Sequence, residues 1–217
     1  MKIVMNKILA IIFLLLSTEA KGQLSQPDSD SVRVSYFFDK AIEYENFNQL
    51  DSALDYYLKI LTLKPDHKSA LVNAGSMFAE IGDYNKAFEY FSKLRSMDRN
   101  DFPPLSNFCY YKGLSGNFNE AILYGDTALI IAKDSMQIGI VLNNRGYAQL
   151  QLGNVEKASV DINRSLIYLP VNPYAHRNKA LIYIAEKKFK DACKAMNDAK
   201  RLGGNMIVKE LMSKYCN

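Results

Sequence analysis

The side chains able to do chemistry are few and widely spread. Two histidines, His67 and His176, and three cysteines, Cys109, Cys193 and Cys216, are the whole stock of soft ligands and strong nucleophiles in 217 residues. A bound zinc or similar ion wants three or four such groups converging, so no metal site is expected. No GxxxxGK[ST], GxSxG, HExxH or CxxC pattern occurs, which removes the phosphate loop, the nucleophile elbow, the two-histidine zinc helix and the vicinal dithiol. A Cys109–His nucleophile pair would require bending an element that Cys109 helps to pack. Asp28 and Asp30 fall in a polar leader, and Asp51, Asp83 and Glu120 sit where helices begin, positions that suit a carboxylate by charge and capping. The chain is expected to be no enzyme and to carry no cofactor. Its chemistry must then lie in recognition, and that depends on which elements set the remaining polar side chains side by side.

Those elements repeat. Small residues stand at Ala41, Gly75, Cys109, Gly146 and Ala180, and a second series at Ala53, Ala87, Ala121, Ala158 and Ala192. Both series advance by 34, 34, 37 and 34 residues, and twelve residues separate them in every unit. The apolar pattern between them has a helical period. It is broken by Asn48-Gln49, Gly82-Asp83, Gly116-Asn117, Gly153-Asn154 and Lys187-Lys188, so each unit reads as two short antiparallel helices. A bulky residue opens the second helix each time: Leu50, Tyr84, Phe118, Val155 and Phe189. Small residues at fixed places in both helices let the backbones approach, and each pair must stack on neighbours to bury its apolar face.

This arrangement resembles the tetratricopeptide repeat family, over units of about 34–67, 68–101, 102–135, 139–172 and 173–204. Residues 75–91 and 146–158 carry the resemblance most clearly. Pro65 and Pro170 stand at the closing-proline position, which Arg99, Lys133 and Gly204 take in the other units. The third unit departs most, with Lys112 where an aromatic is usual and Gly125 in mid-helix. Three extra residues around 133–137 follow it, so a looser or bent join is expected there. The resemblance implies an all-α, right-handed superhelical solenoid of about five helix pairs. A capping helix over 205–216 closes it, with Met206, Ile207, Leu211, Met212 and Tyr215 as its apolar stripe. It also implies a concave face built from the first helix of each pair, on which family members bind peptides. Two residues before the first small series stand Asp39, Asn73, Asn107, Asn144 and Asn178; in some family members asparagines here form a ladder along a peptide backbone. Tyr110, Asn143, Tyr147 and Arg177 fall on the same face, and Phe38 and Ser76 beside them. The subclass that clamps a terminal carboxylate needs lysines where this chain has Ser69, Asn73, Pro103 and Ser106, so that subclass is not expected. The alternative to a peptide groove is an oligomerising solenoid that associates through its convex face or through an apolar edge at Val32, Val34, Phe37 and Phe38.

The cysteines divide two ways. Cys109 sits in the packing series as a buried thiol. Cys193 and Cys216 lie on consecutive helices either side of Gly203-Gly204, which allows a disulfide closing a loop of 22 residues or two unlinked thiols on packed helices. At the N-terminus, Lys2 and Lys7 precede nine apolar residues, 8–16, then Ser17 to Gln23 with small residues at Ala20 and Gly22. That is the layout of a signal peptide over 1–22, and nine residues fall short of the ~20 that span a bilayer. A flexible leader, 23–31, and one continuous repeat domain, 32–217, follow. The expectation is an exported protein, periplasmic or secreted, with no stable membrane span after cleavage. The formal charge of +4 falls to +2 once Lys2, Lys7, Lys21 and Glu19 are lost, leaving 24 basic against 22 acidic residues. No nucleic-acid partner is implied by so small an excess. The partner expected is a protein or peptide.

Overall fold

The structure, a computed structural model, describes residues 29–216; the signal peptide expected over 1–22 and the first part of the expected leader lie outside the described residues. Among the described residues there are eleven helices and no strand. They are α1 Asp30–Asn46, α2 Leu50–Leu63, α3 Lys68–Glu80, α4 Tyr84–Met97, α5 Phe102–Leu114, α6 Phe118–Ile131, α7 Ser135–Gln151, α8 Val155–Tyr168, α9 Pro173–Ala185, α10 Phe189–Arg201 and α11 Asn205–Tyr215. The chain divides into two compact units between His67 and Lys68. The first holds α1 and α2, and the second holds α3 to α11.

Each pair ends its first helix in the same way. Asn48, Gly82, Gly116, Gly153 and Lys187 all have φ between 55° and 88°, as does Gly203 after α10. The following amide then reaches back five residues, as in Asp83 N–H to Phe78 O at 2.8 Å and Asn154 N–H to Gln149 O at 3.0 Å. This satisfies carbonyls that the helix end would otherwise orphan. Starts are set by side chains: Asp83 accepts from Lys86 N–H at 3.1 Å and Asp134 from Gln137 N–H at 2.8 Å. Ser29 caps α1 by accepting from Val32 N–H, which draws Asp30 and Ser31 out of the leader and into the helix.

In the first unit, Tyr57 and Ile60 are fully buried, and Phe38 packs edge-on against Tyr57 and beside His67. Tyr57 donates to Glu45 at 2.7 Å. The apolar edge expected on α1 is mostly covered within the pair: Val34 is buried, Phe37 packs on Tyr56, and Val32 alone is exposed.

In the second unit the small residues of the first series are buried, and both glycines among them face a bulky residue sixteen positions on. A methyl on Gly75 would stand 2.6 Å from the Phe91 ring, and one on Gly146 would stand 2.8 Å from Ile162. The third pair reverses the sizes, with Cys109 as the larger member opposite Gly125, whose added Cβ would lie 3.1 Å from Cys109 Sγ. That exchange explains a glycine in the middle of α6, which runs unbroken from Phe118 to Ile131. The three extra residues nearby form no slack junction either: they become the first turn of α7, capped by Asp134. Lys112, at the aromatic position, lays its ammonium 4.0 Å over the Phe88 ring and 3.0 Å from Glu120.

The last helix, α11, packs on α10 through Val208, which is fully buried with Ala192, Ala195, Met196 and Ala199. Ile207, Leu211, Met212 and Tyr215 add to this contact, whereas Met206 points outward at 81% exposure. Cys193 and Cys216 form a disulfide, with Cα atoms 5.6 Å apart, tying the end of α11 to α10.

Candidate functional site

The 34- and 37-residue steps bring equivalent residues of α5, α7 and α9 to one face of the second unit. Asn107 and Tyr110 come from α5, Asn143, Asn144 and Tyr147 from α7, and Arg177 and Asn178 from α9. On α5 and on α7 an asparagine and a tyrosine are three apart (Asn107 and Tyr110, Asn144 and Tyr147), so they lie one above the other. These seven residues line two adjoining cavities. The smaller, about 260 Å³, is walled by Tyr110, Leu114, Tyr147, Tyr174, Arg177 and Ile207, with three asparagines at its base. The larger, about 480 Å³, includes Asn107, Ile140 and Asn172, and shares Tyr110, Asn143, Asn144 and Tyr174 with the first. Asn73, on α3, is half-buried and lines neither.

Three of the asparagines are nearly closed to water: Asn143 at 7%, Asn144 at 8% and Asn178 at 4% exposure. Buried amides must be bonded to be tolerated, and here they bond one another in a directed chain. Arg177 Nη1 donates to Asn178 Oδ1 at 3.1 Å, Asn178 Nδ2 to Asn143 Oδ1 at 2.9 Å, and Asn143 Nδ2 to Asn144 Oδ1 at 3.1 Å. A guanidinium has donors only, so its contact fixes which way each amide faces along the relay. All three side-chain oxygens are therefore occupied, and Asn144 Nδ2 ends the chain with no acceptor among the described residues. Asn107 Nδ2 is also buried without a partner. Arg177 is held a second time by Nε, which donates to Ile207 O at 3.2 Å. It has no carboxylate within ion-pair distance among the described residues.

Burial, the main cause, pushes the Tyr110 hydroxyl up to about 12, with Tyr174, Glu80 and Tyr84 adding and Arg177 opposing. It stays protonated at neutral pH. Beneath the site, Cys109 is free and buried, its thiol pushed up to about 12 by burial, so it is inert as a nucleophile. Next to Asn144, Arg145 turns the opposite way and grips Asp161 through Nε at 2.8 Å and Nη2 at 2.6 Å, with Nη1 on Asp126 at 2.6 Å. This fork anchors α7 to α6 and α8, and so holds the asparagines of α7 in place.

Sequence reasoning missed Ile140, Tyr174, Leu114 and Ile207. Ile140 and Tyr174 stand four residues before Asn144 and Asn178, one turn away on the same helix face, so extending the ladder by its helical period finds both. Ile207 comes from α11 and carries no such signal, because only the docking of that helix brings it to Arg177. Among the described residues no group of three metal-capable side chains converges, and no helix is long and apolar enough to cross a membrane.

Residues 38–101 match the family model described as tetratricopeptide repeat. No curated protein matches the chain. Solved structures do: a tetratricopeptide repeat protein from Parabacteroides merdae is 19% identical, with 85% of this chain and 71% of that one covered and a TM-score of 0.75. TTC0263, a thermophilic protein of the same kind from Thermus thermophilus, is 15% identical over 84% and 97% of the two chains, with a TM-score of 0.70. PilW, described as a widely conserved type IV pilus biogenesis factor, is 19% identical over 78% and 77%, with a TM-score of 0.69.

Proposed function

The chain is built on the tetratricopeptide-repeat fold, and from that premise we propose that it is a non-catalytic protein–protein interaction scaffold of the cell envelope. Its ligand is an extended segment of a partner protein, laid across α5, α7 and α9. The observation that carries this reading is the amide relay, each of whose oxygens already accepts an internal bond, while an amide nitrogen is left over at its end on Asn144 and another beside it on Asn107. Backbone carbonyls of an extended segment are the acceptors such donors want. The tyrosines around them supply apolar area with a polar tip, the usual make-up of an anchor. Asn73, standing outside both cavities, has no part in this reading.

The exported location belongs to the same proposal. It is supported by the basic-then-apolar N-terminus, by a disulfide of the kind that persists in oxidising compartments, and by the likeness in fold to a pilus biogenesis factor. The test is affinity capture from the envelope fraction with the native chain and with Asn107→Ala/Asn144→Ala as control. A partner held by the native chain and lost by the variant, at unchanged helical circular dichroism, is expected. Equal recovery by both would overturn the groove.

One observation favours a second reading. Leu123 and Ile130 of α6, and Val160 and Ile167 of α8, are exposed at 63, 84, 58 and 77%. They hold the same places in consecutive pairs, seven residues apart on each helix, and aligned exposed aliphatics mark contacts. If this face joins two copies, sedimentation will show a native dimer that Ile130→Lys/Ile167→Lys turns into a monomer.

A further inference from the structure

The ladder has a polarity, and polarity selects charge as well as shape. Arg177 can only donate, so the relay that starts from it gives the oxygens of Asn178, Asn143 and Asn144 each an internal donor and leaves N–H groups of Asn144 and, beside the relay, of Asn107 without an acceptor among the described residues. No carboxylate lines either cavity. Glu80, whose charge is felt at Tyr110, accepts a hydrogen bond from Tyr111 and belongs to neither wall. Arg177 lines the smaller cavity and is the one charged residue in either lining among the described residues; it is half-buried, with Nε and one Nη1 contact made and Nη2 unbonded. Tyr110 adds a hydroxyl that burial keeps protonated. A guanidinium withdrawn from water and left without a counter-charge is costly, and a ligand carboxylate relieves that cost with short, charge-assisted bonds. The smaller cavity, at about 260 Å³, falls under the ~300–1,000 Å³ of drug-sized sites, leaving room for one side chain.

We propose that the bound segment carries an acidic side chain, Asp or Glu, seated in the smaller cavity against Arg177, while its backbone runs past Asn144 and Asn107. This rests on the groove reading above and adds to it the class of sequence that the groove selects. Leu114, Ile207 and the tyrosine rings take the methylenes of that side chain, and the donors take its carboxylate.

The test is selection of a random dodecapeptide library on phage against the full chain, followed by affinity measurement of one enriched peptide and of its acid-to-amide version. Expected is enrichment of Asp or Glu at one fixed position. The amide version should then bind about tenfold more weakly to the native chain, equally well to Arg177→Gln, and again more weakly to Arg177→Lys, which restores charge but not the planar contacts. If the amide version binds the native chain as tightly as the acid does, the acidic specificity is overturned; if Arg177→Lys behaves as Arg177→Gln does, the arginine acts only by holding Asn178 and α11, and the seat against Arg177 is overturned. Enriched peptides with no acidic position, or with an apolar residue at the fixed one, overturn it too while leaving peptide binding standing. If no peptide is enriched, the groove reading falls with it.

Discussion

Gly75 shows how little freedom a single position has in this repeat. The gap it leaves is filled by the Phe91 ring, itself fully buried and stacked on Tyr111 at 5.7 Å between centroids. Gly75→Ala would gain helix propensity of ~1 kcal/mol but drive its methyl into a ring that cannot retreat, at ~1–3 kcal/mol or more. The expected outcome is a net loss of about 1–2 kcal/mol, seen as a lower urea midpoint at unchanged slope. Cys109 and Gly125 show the same constraint met in the opposite sense, since the volume that other pairs place on the second helix is shared here with the first. The packing rule is legible in the spacing, but which partner carries the bulk is decided only when both helices are in place.

At the scale of elements, the fork from Arg145 decides whether α7 keeps its register against α6 and α8. Its two anchors differ in kind: the Asp161 side chain is 7% exposed and that of Asp126 is 55% exposed. Asp161→Ala would strand a half-buried guanidinium, costing about 2–4 kcal/mol, whereas Asp126→Ala should cost under about 1 kcal/mol. Urea unfolding of the two variants side by side checks this; equal losses would mean that burial is not what gives the bridge its strength. Nothing in the sequence marks Arg145, because its partners lie 16 and 19 residues away on two different helices. By contrast, the loop-ending residues are visible in the sequence. Glycine stands at Gly82, Gly116 and Gly153 because the backbone there is left-handed, and Asn48 and Lys187 adopt the same conformation without it.

At the scale of the whole molecule, Cys109, Tyr110 and Tyr111 give the stability a pH dependence in the alkaline range. Burial is the first cause of all three shifts, carrying Cys109 from 9.0 to about 12, Tyr110 from 10.0 to about 12, and Tyr111 higher still. The unfolded chain gives up these protons first, so above pH 9 it binds fewer protons than the folded chain. Stability is then full below pH 9 and falls as pH rises toward 12, at up to ~1.4 kcal/mol per pH unit for each group fully ionised in the unfolded chain alone. Urea midpoints taken at pH 8, 9.5 and 10.5 should fall in that order. Cys109→Ala should flatten the first step, and an unchanged slope in that variant would show that the thiol takes no part.

What the sequence alone determined is the helix-pair repeat: two series of small residues in one spacing, turn residues between them, and asparagines two places before the small ones. Those features are local or periodic, so they are written into residue order. What only the tertiary structure decided is how the asparagines are used. Asn107, Asn144 and Asn178 share a register with Asn73, yet Asn73 lines neither cavity. The relay needs Asn143 beside Asn144, and Arg177 to set its direction. Arg177 in turn is held by a carbonyl of α11, a helix that the Cys193–Cys216 disulfide ties down. Hydrogen-bond polarity is a property of groups that meet across helices, and no periodicity within one helix can specify it.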